Sequence, residues 1–340
     1  MIVCITGGLG FIGSHICVAL MEAGHTVICI DNLSNCSITI LDRIKSITGK
    51  QPDFFEIDLR DYEKLHDFFE EHMNSIDCVI HCAAVKSVGE SNKFPLEYYD
   101  NNITGTINLL KCMKTANCYN MIFSSSSTVY GLSDTAPLTE ECKTGAINPY
   151  GRTKLYIENI LQDLAQSDPA WTCICLRYFN PVGAHPSGKI GENPKGIPTN
   201  LLPYIIQVAS KQQPYLTVYG NDYDTPDGTC IRDYIHISDV ASGHLAAMQK
   251  LNEFTGNNVI NIGTGQGYTV MQMLDCMTKV VGHPIPYVIG PRRLGDAAVS
   301  FACADKAYQL LNWKAEKTLD DMCKDAWKWH LSQHKESTYQ

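Results

Sequence analysis

A tyrosine and a lysine four residues apart, Tyr150 and Lys154, are the side chains in this sequence best suited to proton transfer. They follow Asn148 and Pro149, which are typical of a helix N-cap and a first helical residue, so both side chains are expected on one helical face. A phenol with a pKa of about 10 is a poor base at neutral pH, but a nearby ammonium group lowers that pKa. The pair predicts a general base with an electrostatic partner only if other features place it in a site, because an isolated Tyr-x-x-x-Lys usually lies on a surface.

A glycine-rich turn near the start of the chain predicts a nucleotide site. A run of β-branched residues at 2–5 leads into Gly7, Gly10 and Gly13, and an apolar helical stretch follows. In this arrangement one glycine makes a tight turn, one lets the backbone approach a diphosphate and one lets the helix pack against the strand. The next strand ends in Asp31, whose carboxylate suits the free 2′-hydroxyl of NAD and would repel the 2′-phosphate of NADP. The segment therefore predicts NAD as the cofactor.

Further strands are expected at α/β spacing, and polar residues follow them. The predicted strands cover residues 54–57, 78–80, 121–123 and 172–176. In an open parallel sheet the ligand binds beyond the carboxyl ends of the strands, so Asp58, Cys82 and the serine cluster at 124–127 should share one crevice. The serine cluster offers a hydroxyl that can orient a substrate alcohol.

These elements predict an α/β fold with a Rossmann-like, doubly wound parallel sheet and a smaller mixed α/β domain that caps the substrate. Residues 1–180 are predicted to form the NAD-binding domain, and residues 181–340 the cap, where glycine, proline and asparagine cluster. A segment near 233–264 is expected to return to the sheet, because residues 258–262 have the pattern of another buried strand.

The composition argues against several classes of partner and ligand. Lys and Arg number 27 against 36 Asp and Glu, a formal net charge of -9 without a basic run, so neither nucleic acid nor a membrane surface is expected as a partner. The fifteen cysteines contain no Cys-x-x-Cys pair, so we expect small core residues, and no metal site. No charged leader precedes the first strand and no apolar run is long enough to span a membrane, so a cytoplasmic location is expected.

The tyrosine and lysine pair, combined with the turn at residues 6–13, resembles the extended short-chain dehydrogenase/reductase family, and within it the enzymes that epimerise UDP-hexoses at C4. The likeness covers nearly the whole chain and is carried by residues 6–14, 79–91, 98–105, 123–131, 177–188, 196–204, 228–237 and 291–296. It implies reversible epimerisation of UDP-galactose and UDP-glucose in galactose metabolism, through transient hydride transfer to tightly bound NAD and a 4-keto sugar. It also implies a homodimer.

The resemblance implies a role for each residue of the site. Tyr150 would be the catalytic base, Lys154 would support it and hold the nicotinamide ribose, and Ser126 would assist proton transfer. A slip of one residue within the serine cluster stays open, so that Ser125 or Ser127 could take this role. The implied NAD contacts are Gly7, Gly10, Phe11, Ile12, Gly13, Asp31, Asn32, Asp58, Leu59, Cys82, Lys86, Asn101, Tyr150, Lys154 and Phe179. The implied UDP-sugar contacts are Ser126, Asn180, Asn200, Leu201, Tyr219, Arg232, Arg293, Asp296 and Ser300.

Three of these contacts carry a further expectation about the substrate. Arg232 and Arg293 would supply the local positive charge that a diphosphate needs on an acidic protein. Ser300 stands where some members of the family have a bulky tyrosine and others a small residue. A small residue leaves volume for an N-acetyl group, so activity on UDP-N-acetylglucosamine and UDP-N-acetylgalactosamine is expected as well. The alternative is that Ser300 merely faces solvent.

Two rival functions stay open at this point. A nucleotide-sugar 4,6-dehydratase or decarboxylase would use the same cofactor. A dehydratase usually has an Asp-Glu pair directly after its catalytic hydroxyl, however, where this chain has Ser127 and Thr128. A catalytically silent NAD-binding scaffold would not need Ser126, Tyr150 and Lys154 together.

Overall fold

The computed structural model describes residues 1–133, 135–193, 198–293 and 295–336, and a parallel β-sheet lies at its centre. The strands are β1 (Ile2–Thr6), β2 (Thr26–Asp31), β3 (Asp53–Glu56), β4 (Cys78–His81), β5 (Asn120–Ser126), β6 (Thr172–Tyr178), β7 (Asn180–Val182), β8 (Leu216–Tyr219), β9 (Ile231–Arg232), β10 (Tyr234–His236), β11 (Gly256–Ile262), β12 (Tyr268–Thr269), β13 (Tyr287–Gly290) and β14 (Val299–Ser300). The helices are α1 (Phe11–Glu22), α2 (Ile40–Thr48), α3 (Tyr62–Glu71), α4 (Val88–Ser91), α5 (Pro95–Tyr99), α6 (Gly105–Thr115), α7 (Pro149–Ser167), α8 (Leu201–Ala209), α9 (Ile237–Gln249), α10 (Val270–Val281), α11 (Asp305–Leu311) and α12 (Leu319–Glu336).

The central sheet has seven parallel strands in the order β3-β2-β1-β4-β5-β6-β11. The chain first builds outward from β1 through β2 to β3, and then crosses back to add β4 on the other side of β1. This reversal opens a crevice beyond the carboxyl ends of β1 and β4, where ligands of such sheets bind. The topology confirms the predicted α/β, Rossmann-like fold.

Helices cover both faces of this sheet, as the continuous apolar character of its strands requires. Successive residues of β1 belong to different cores: Val3 and Ile5 join the cluster beneath α1 and α9, whereas Cys4 joins the cluster beneath α3 and α6. All fifteen cysteines lie among the described residues and are free, and most of them are buried. They therefore act chiefly as small core side chains, as predicted.

Most of the chain beyond β6 forms smaller sheets and helices beside the carboxyl edge of the main sheet. The strand pairs β7–β10 and β8–β13 and the three-stranded sheet β12-β9-β14 lie here, with a third core among α8, α10 and α12. However, β11 pairs with β6 over Gly256–Ile262, and α9 packs against α1. The division into residues 1–180 and 181–340 stays a prediction. No helix in the part of the chain described has the length and apolar character needed to cross a membrane.

A buried ion pair attaches α7 to the sheet. The Glu158 carboxylate accepts hydrogen bonds from Arg177 of β6 at 2.9 Å (Nε) and 2.6 Å (Nη2), and from the Ser125 hydroxyl of β5 at 2.5 Å. Glu158 and Arg177 are only 4% and 5% exposed. A bidentate geometry with a third donor is what allows two charges to be buried together. Since α7 also carries Tyr150, this contact sets the height of that tyrosine above the sheet.

We expect Glu158→Gln to lower the free energy of unfolding by about 3 kcal/mol, because the charge of Arg177 would stay buried without a counter-ion. Urea denaturation at neutral pH measures this loss. The matched control is Glu253→Gln, which breaks an exposed pair with Lys250 and should change stability by less than about 0.5 kcal/mol. Equal losses in the two variants would show that the buried pair has no special role.

Candidate active site

The turn between β1 and α1 has the shape that a dinucleotide requires. Gly7 has a φ of +68°, and a Cβ on it would lie 2.7 Å from the backbone nitrogen of Ala83. A Cβ on Gly13 would lie 2.1 Å from the Gly7 carbonyl oxygen, so no larger residue fits there. Gly10 forms the N-cap of α1 and has no capping side chain, which leaves the amide end of this helix suited to a diphosphate. The residues present therefore fit NAD.

The carboxylate predicted to bind the adenosine ribose stands beside this turn. Asp31 is the last residue of β2 and is 9% exposed. Its carboxylate accepts hydrogen bonds from the backbone N–H of Leu9 at 3.2 Å and of Leu33 at 3.0 Å, and from the Cys36 thiol at 3.2 Å. These contacts hold the carboxylate in place without using all of its lone pairs. The sequence analysis did not identify the contribution of Cys36.

Asn32 and Asp58 extend the same rim. The Asn32 side-chain amide donates to Asp58 at 2.9 Å. Arg60 forms an ion pair with Asp58 at 2.8 Å, and this hydrogen-bonded guanidinium holds the pKa of the Asp58 carboxyl well below its usual range. Asp58 is therefore charged at neutral pH and anchors the two strand ends to each other.

Lys154 is directed into the protein. It follows Tyr150 by one turn of α7, which begins at Pro149 after Asn148 caps the Gly151 N–H at 2.8 Å, as predicted. The Lys154 ammonium donates to the Ser124 carbonyl at 2.7 Å. Burial lowers the pKa of Lys154 to about 8.

Two groups oppose the effect of burial on Tyr150. Burial raises the pKa of its phenol, while the nearby Ser126 side chain and the charge of Lys86 oppose that rise. Lys86 thus acts on Tyr150 in addition to the role predicted for Lys154, whose ammonium is held by the Ser124 carbonyl. Tyr150 is half-buried.

The alternation of β5 separates the serines of the cluster. Ser125 faces Glu158 on the side of α7, at 2.5 Å. Ser124 and Ser126 face the other way, but the Ser124 hydroxyl is engaged with the Cys82 thiol at 3.0 Å. Of these three, only the Ser126 side chain acts on the pKa of Tyr150. The geometry therefore favours Ser126 as the serine of the site.

A neutral hydrogen-bonded chain lies beneath this pair. His244 of α9 donates from Nδ1 to the Val240 carbonyl at 2.8 Å, so its Nε2 is free to accept from the Ser124 hydroxyl at 3.4 Å. Burial lowers the pKa of His244 to about 4 and raises that of Cys82 to about 11, so both stay uncharged at neutral pH. The sequence analysis missed His244, which no local motif marks.

The cations predicted to bind a diphosphate lie on the opposite side of the crevice, in the later part of the chain. Arg232 of β9 forms an ion pair with Asp296 at 3.5 Å. Arg293 lies over the Tyr219 ring, with 4.1 Å between its guanidinium carbon and the ring centroid. Ser300 is the register partner of Arg232 in the neighbouring strand β14, and it is half-buried.

The remaining predicted contacts occupy the same edge of the sheet. Asn180 of β7 donates from its side chain to the Asp233 carbonyl at 2.9 Å, and Asn200 precedes α8 and donates to Glu192 at 2.9 Å. Lys86 forms an ion pair with the same Glu192 at 3.0 Å. Phe11 and Ile12 lie in the first turn of α1, Leu59 follows Asp58, Asn101 lies in the π-helical turn Asp100–Thr104, Phe179 separates β6 from β7, and Leu201 begins α8.

Comparison with known proteins shows what this arrangement resembles. The chain is 52% identical to the UDP-glucose 4-epimerase of Dictyostelium discoideum over 326 residues, which cover 96% of this chain and 94% of that relative. Among solved structures it is similar to the UDP-glucose-4-epimerase from Stenotrophomonas maltophila with bound NAD and formylated UDP-arabinopyranose (TM-score 0.95, 48% identity, 99% of each chain). It is also similar to the UDP-glucose 4-epimerase from Bifidobacterium longum in complex with NAD+ and UDP (TM-score 0.94, 49% identity, 98% of this chain and 99% of that chain).

A family model extends this likeness from individual relatives to a group. The NAD dependent epimerase/dehydratase family matches residues 3–263, a range that includes the glycine turn, Ser126, Tyr150 and Arg232. With most of the chain matched and about half of its residues identical to those of full-length relatives, this chain belongs to the NAD dependent epimerase/dehydratase family.

Proposed function

We propose that this protein catalyses the reversible epimerisation at C4 of UDP-galactose and UDP-glucose, as a step of galactose metabolism, with tightly bound NAD. The observation that carries the proposal is the Tyr150 phenol, half-buried at the carboxyl edge of the sheet and close enough to Ser126 for that side chain to oppose the rise in its pKa. The glycine turn lies on one side of it and the two arginines that suit a diphosphate lie on the other. The 4-epimerase relatives, about half identical in sequence, support the same reaction.

Substrate binding depends on a few placed cations, because the protein carries a formal net charge of -9. Arg232 and Arg293 offer guanidinium groups, which match phosphate oxygens better than a point charge does. Asp296 forms an ion pair with Arg232, which holds the guanidinium in position before the nucleotide binds. Anchoring the nucleotide in this way leaves the hexose free to turn over within the pocket.

Tyr150 moves the proton of the sugar C4 hydroxyl. NAD held by the glycine turn would supply the reversible hydride chemistry at C4. Burial keeps the Tyr150 phenol protonated in the protein alone, whereas the charge of Lys86 and the Ser126 hydroxyl favour the phenolate. Ser126 orients the substrate hydroxyl toward the phenolate, and Lys154 fixes the end of β5 through the Ser124 carbonyl.

The dehydratase alternative has less support. Ser127 and Thr128 occupy the place of the expected acid pair and begin a short helical turn, Ser127–Tyr130. The Thr128 hydroxyl donates to the Ser126 hydroxyl at 3.0 Å, and this bond orients the serine. Neither residue supplies a carboxylic acid that could remove water from the sugar.

The chain is also proposed to form a homodimer in the cytoplasm. Leu96 of α5 is 77% exposed, Phe94 before it is 50% exposed and Tyr156 of α7 is 45% exposed. These residues form one apolar surface, because Tyr99 of α5 stacks on Tyr156 with 6.3 Å between ring centroids. A second copy of the same surface would cover it. The free thiols of the chain suit a reducing compartment.

The first test concerns the chemistry. Purified protein should convert UDP-galactose to UDP-glucose without added NAD, and Tyr150→Phe should lower kcat by at least about 100-fold because the base is lost. Tyr308→Phe, at an exposed position of α11, is the matched control and should keep full activity. Accumulation of a keto sugar instead of UDP-glucose would contradict the proposal, and so would full activity of Tyr150→Phe.

The second test concerns sugar size. Because Ser300 is small and half-buried, we expect the protein to act on UDP-N-acetylglucosamine as well as on UDP-galactose. Ser300→Tyr should abolish the activity on the N-acetylated sugar and preserve that on UDP-galactose, since only the former needs the extra volume. Assays of both substrates with both proteins measure this. Turnover of UDP-galactose alone by the unaltered protein would refute the expectation.

The third test concerns assembly. Light scattering during size-exclusion chromatography should give the mass of a dimer. The double change Leu96→Glu and Tyr156→Glu should give a monomer, because like charges would face each other across the two-fold axis. Tyr308→Glu is the control for an exposed tyrosine elsewhere. A monomeric unaltered protein would exclude the proposed homodimer.

A further inference from the structure

Glu192 lies where the two sides of the crevice meet, and its position is closely determined. The backbone bridge between Ala184 and Gly191 holds the preceding residues in a narrow loop. A Cβ on Gly191 would lie 2.6 Å from the Trp329 ring, so the loop is packed directly against α12. The Trp329 indole then donates to the Glu192 carbonyl at 3.0 Å. The backbone of Glu192 is therefore anchored independently of its side chain.

The Glu192 carboxylate joins the cofactor side of the crevice to the sugar-nucleotide side. One oxygen, Oε1, accepts from the Lys86 ammonium at 3.0 Å and from the Asn200 amide at 2.9 Å. Lys86 follows β4 on the cofactor side, whereas Asn200 precedes α8 on the other. The Glu192 side chain is 11% exposed and that of Lys86 is 46% exposed, so solvent screens the pair from the side of the lysine.

Asn200 is used in an unusual way. It occupies the N-cap position of α8, where asparagine commonly accepts a hydrogen bond from the helix, yet it makes no side-chain cap. Its amide instead donates to Glu192. The structure thus forgoes a local stabilising contact, which indicates that the orientation of Asn200 toward the crevice matters more than capping.

Lys86 transmits the effect of Glu192 to the proton-transfer site. Its ammonium lies 5.8 Å from the Phe11 ring centroid, beside the first turn of α1. Burial opposes the charged form of Lys86, but the Glu192 carboxylate more than compensates, so the pKa of Lys86 is raised. The charge held in this way favours the phenolate of Tyr150.

We propose that Glu192 is a positioning residue that holds Lys86 on the cofactor side of the crevice, where its charge acts on Tyr150, and Asn200 toward the substrate. The proposal rests on the proposed epimerase activity. Glu192 touches neither of the groups that exchange the proton, so it acts through Lys86 and Asn200 alone. It makes the ionisation of the base and the affinity for the UDP-sugar depend on one carboxylate.

The groups that face Tyr150 set the direction of the expected effect. They are Lys86 from the loop after β4, Ser126 from β5, Tyr178 from β6 and Lys154 on α7 itself. Only Lys86 is paired with Glu192. Removal of the Glu192 carboxylate leaves the Lys86 ammonium without its counter-ion and less firmly placed, so less positive charge acts on the phenol, the pKa of Tyr150 rises and the rising limb of kcat/KM moves to higher pH.

The decisive variant is Glu192→Gln, whose amide oxygen keeps an acceptor for both partners but carries no charge. We expect the rising limb of kcat/KM for UDP-galactose to shift by about half a pH unit or more toward higher pH. An ultraviolet difference titration against Tyr150→Phe should show the same shift for the phenolate. In a Lys86→Met background the shift should vanish. An unchanged limb, or a shift that persists without Lys86, would overturn the proposal.

Glu192→Ala tests the second contact. Releasing Asn200 should raise KM for UDP-galactose by about fivefold, whereas Glu192→Gln should stay within about twofold of the unaltered protein. Glu253→Gln, in an exposed ion pair, is the control for loss of a carboxylate and should change neither quantity. If the unaltered protein does not epimerise UDP-galactose, the proposed function fails. If it does, and Glu192→Ala leaves KM unchanged, only the present inference fails.

Discussion

The site depends on the contact between one carboxylate and two strands. Glu158 reaches from α7 to Arg177 of β6 and to Ser125 of β5, and all three side chains are buried. This contact determines how α7 lies over the carboxyl edge of the sheet, and with it the distance from Tyr150 to the end of β5. Without such a tie, α7 could move relative to β5, and Tyr150 relative to Ser126.

Burial has two opposite consequences around this contact. It removes water from Lys154, His244 and Cys82, so that the lysine has a pKa of only about 8 and the other two stay neutral. It also raises the pKa of Tyr150, which is unfavourable for a base. The charge of Lys86, which lies in the loop after β4, opposes this rise in pKa. Its ammonium is held by the Glu192 carboxylate from the other side of the crevice. A protein with a negative net charge can therefore bind an anionic substrate, because its few cations in the crevice are held in position by carboxylates.

The sequence predicted the fold and the cofactor turn well, since both depend on the order of residue types along short segments. The glycine spacing, the capped start of α7 and the strand that ends in Asp31 all have the structure that their residues indicate. It was harder to predict from the sequence which serine of the cluster at 124–127 belongs to the site. Four adjacent serines have the same chemistry, and only the alternation of β5 separates Ser125, which faces Glu158, from Ser126, which faces Tyr150. The spacing of the sequence points to Lys154 as the cation near Tyr150, and the structure adds Lys86 from the loop after β4, whose charge also opposes the rise in the pKa of Tyr150.

By itself, the sequence determined the α/β class, the preference for a dinucleotide with a free ribose hydroxyl, and the placement of Tyr150 and Lys154 one turn apart on a helix. These properties follow from local patterns: hydrophobic periodicity, glycine at sterically restricted positions and a helix that places residues four apart on one face. Only the tertiary structure decided that Ser125 contacts Glu158 while Ser126 faces the other way, and that Glu192 connects Lys86 to Asn200. Lys86 and Glu192 are 106 residues apart in the chain, and their meeting is set by the packing of a loop against Trp329, which no local pattern encodes.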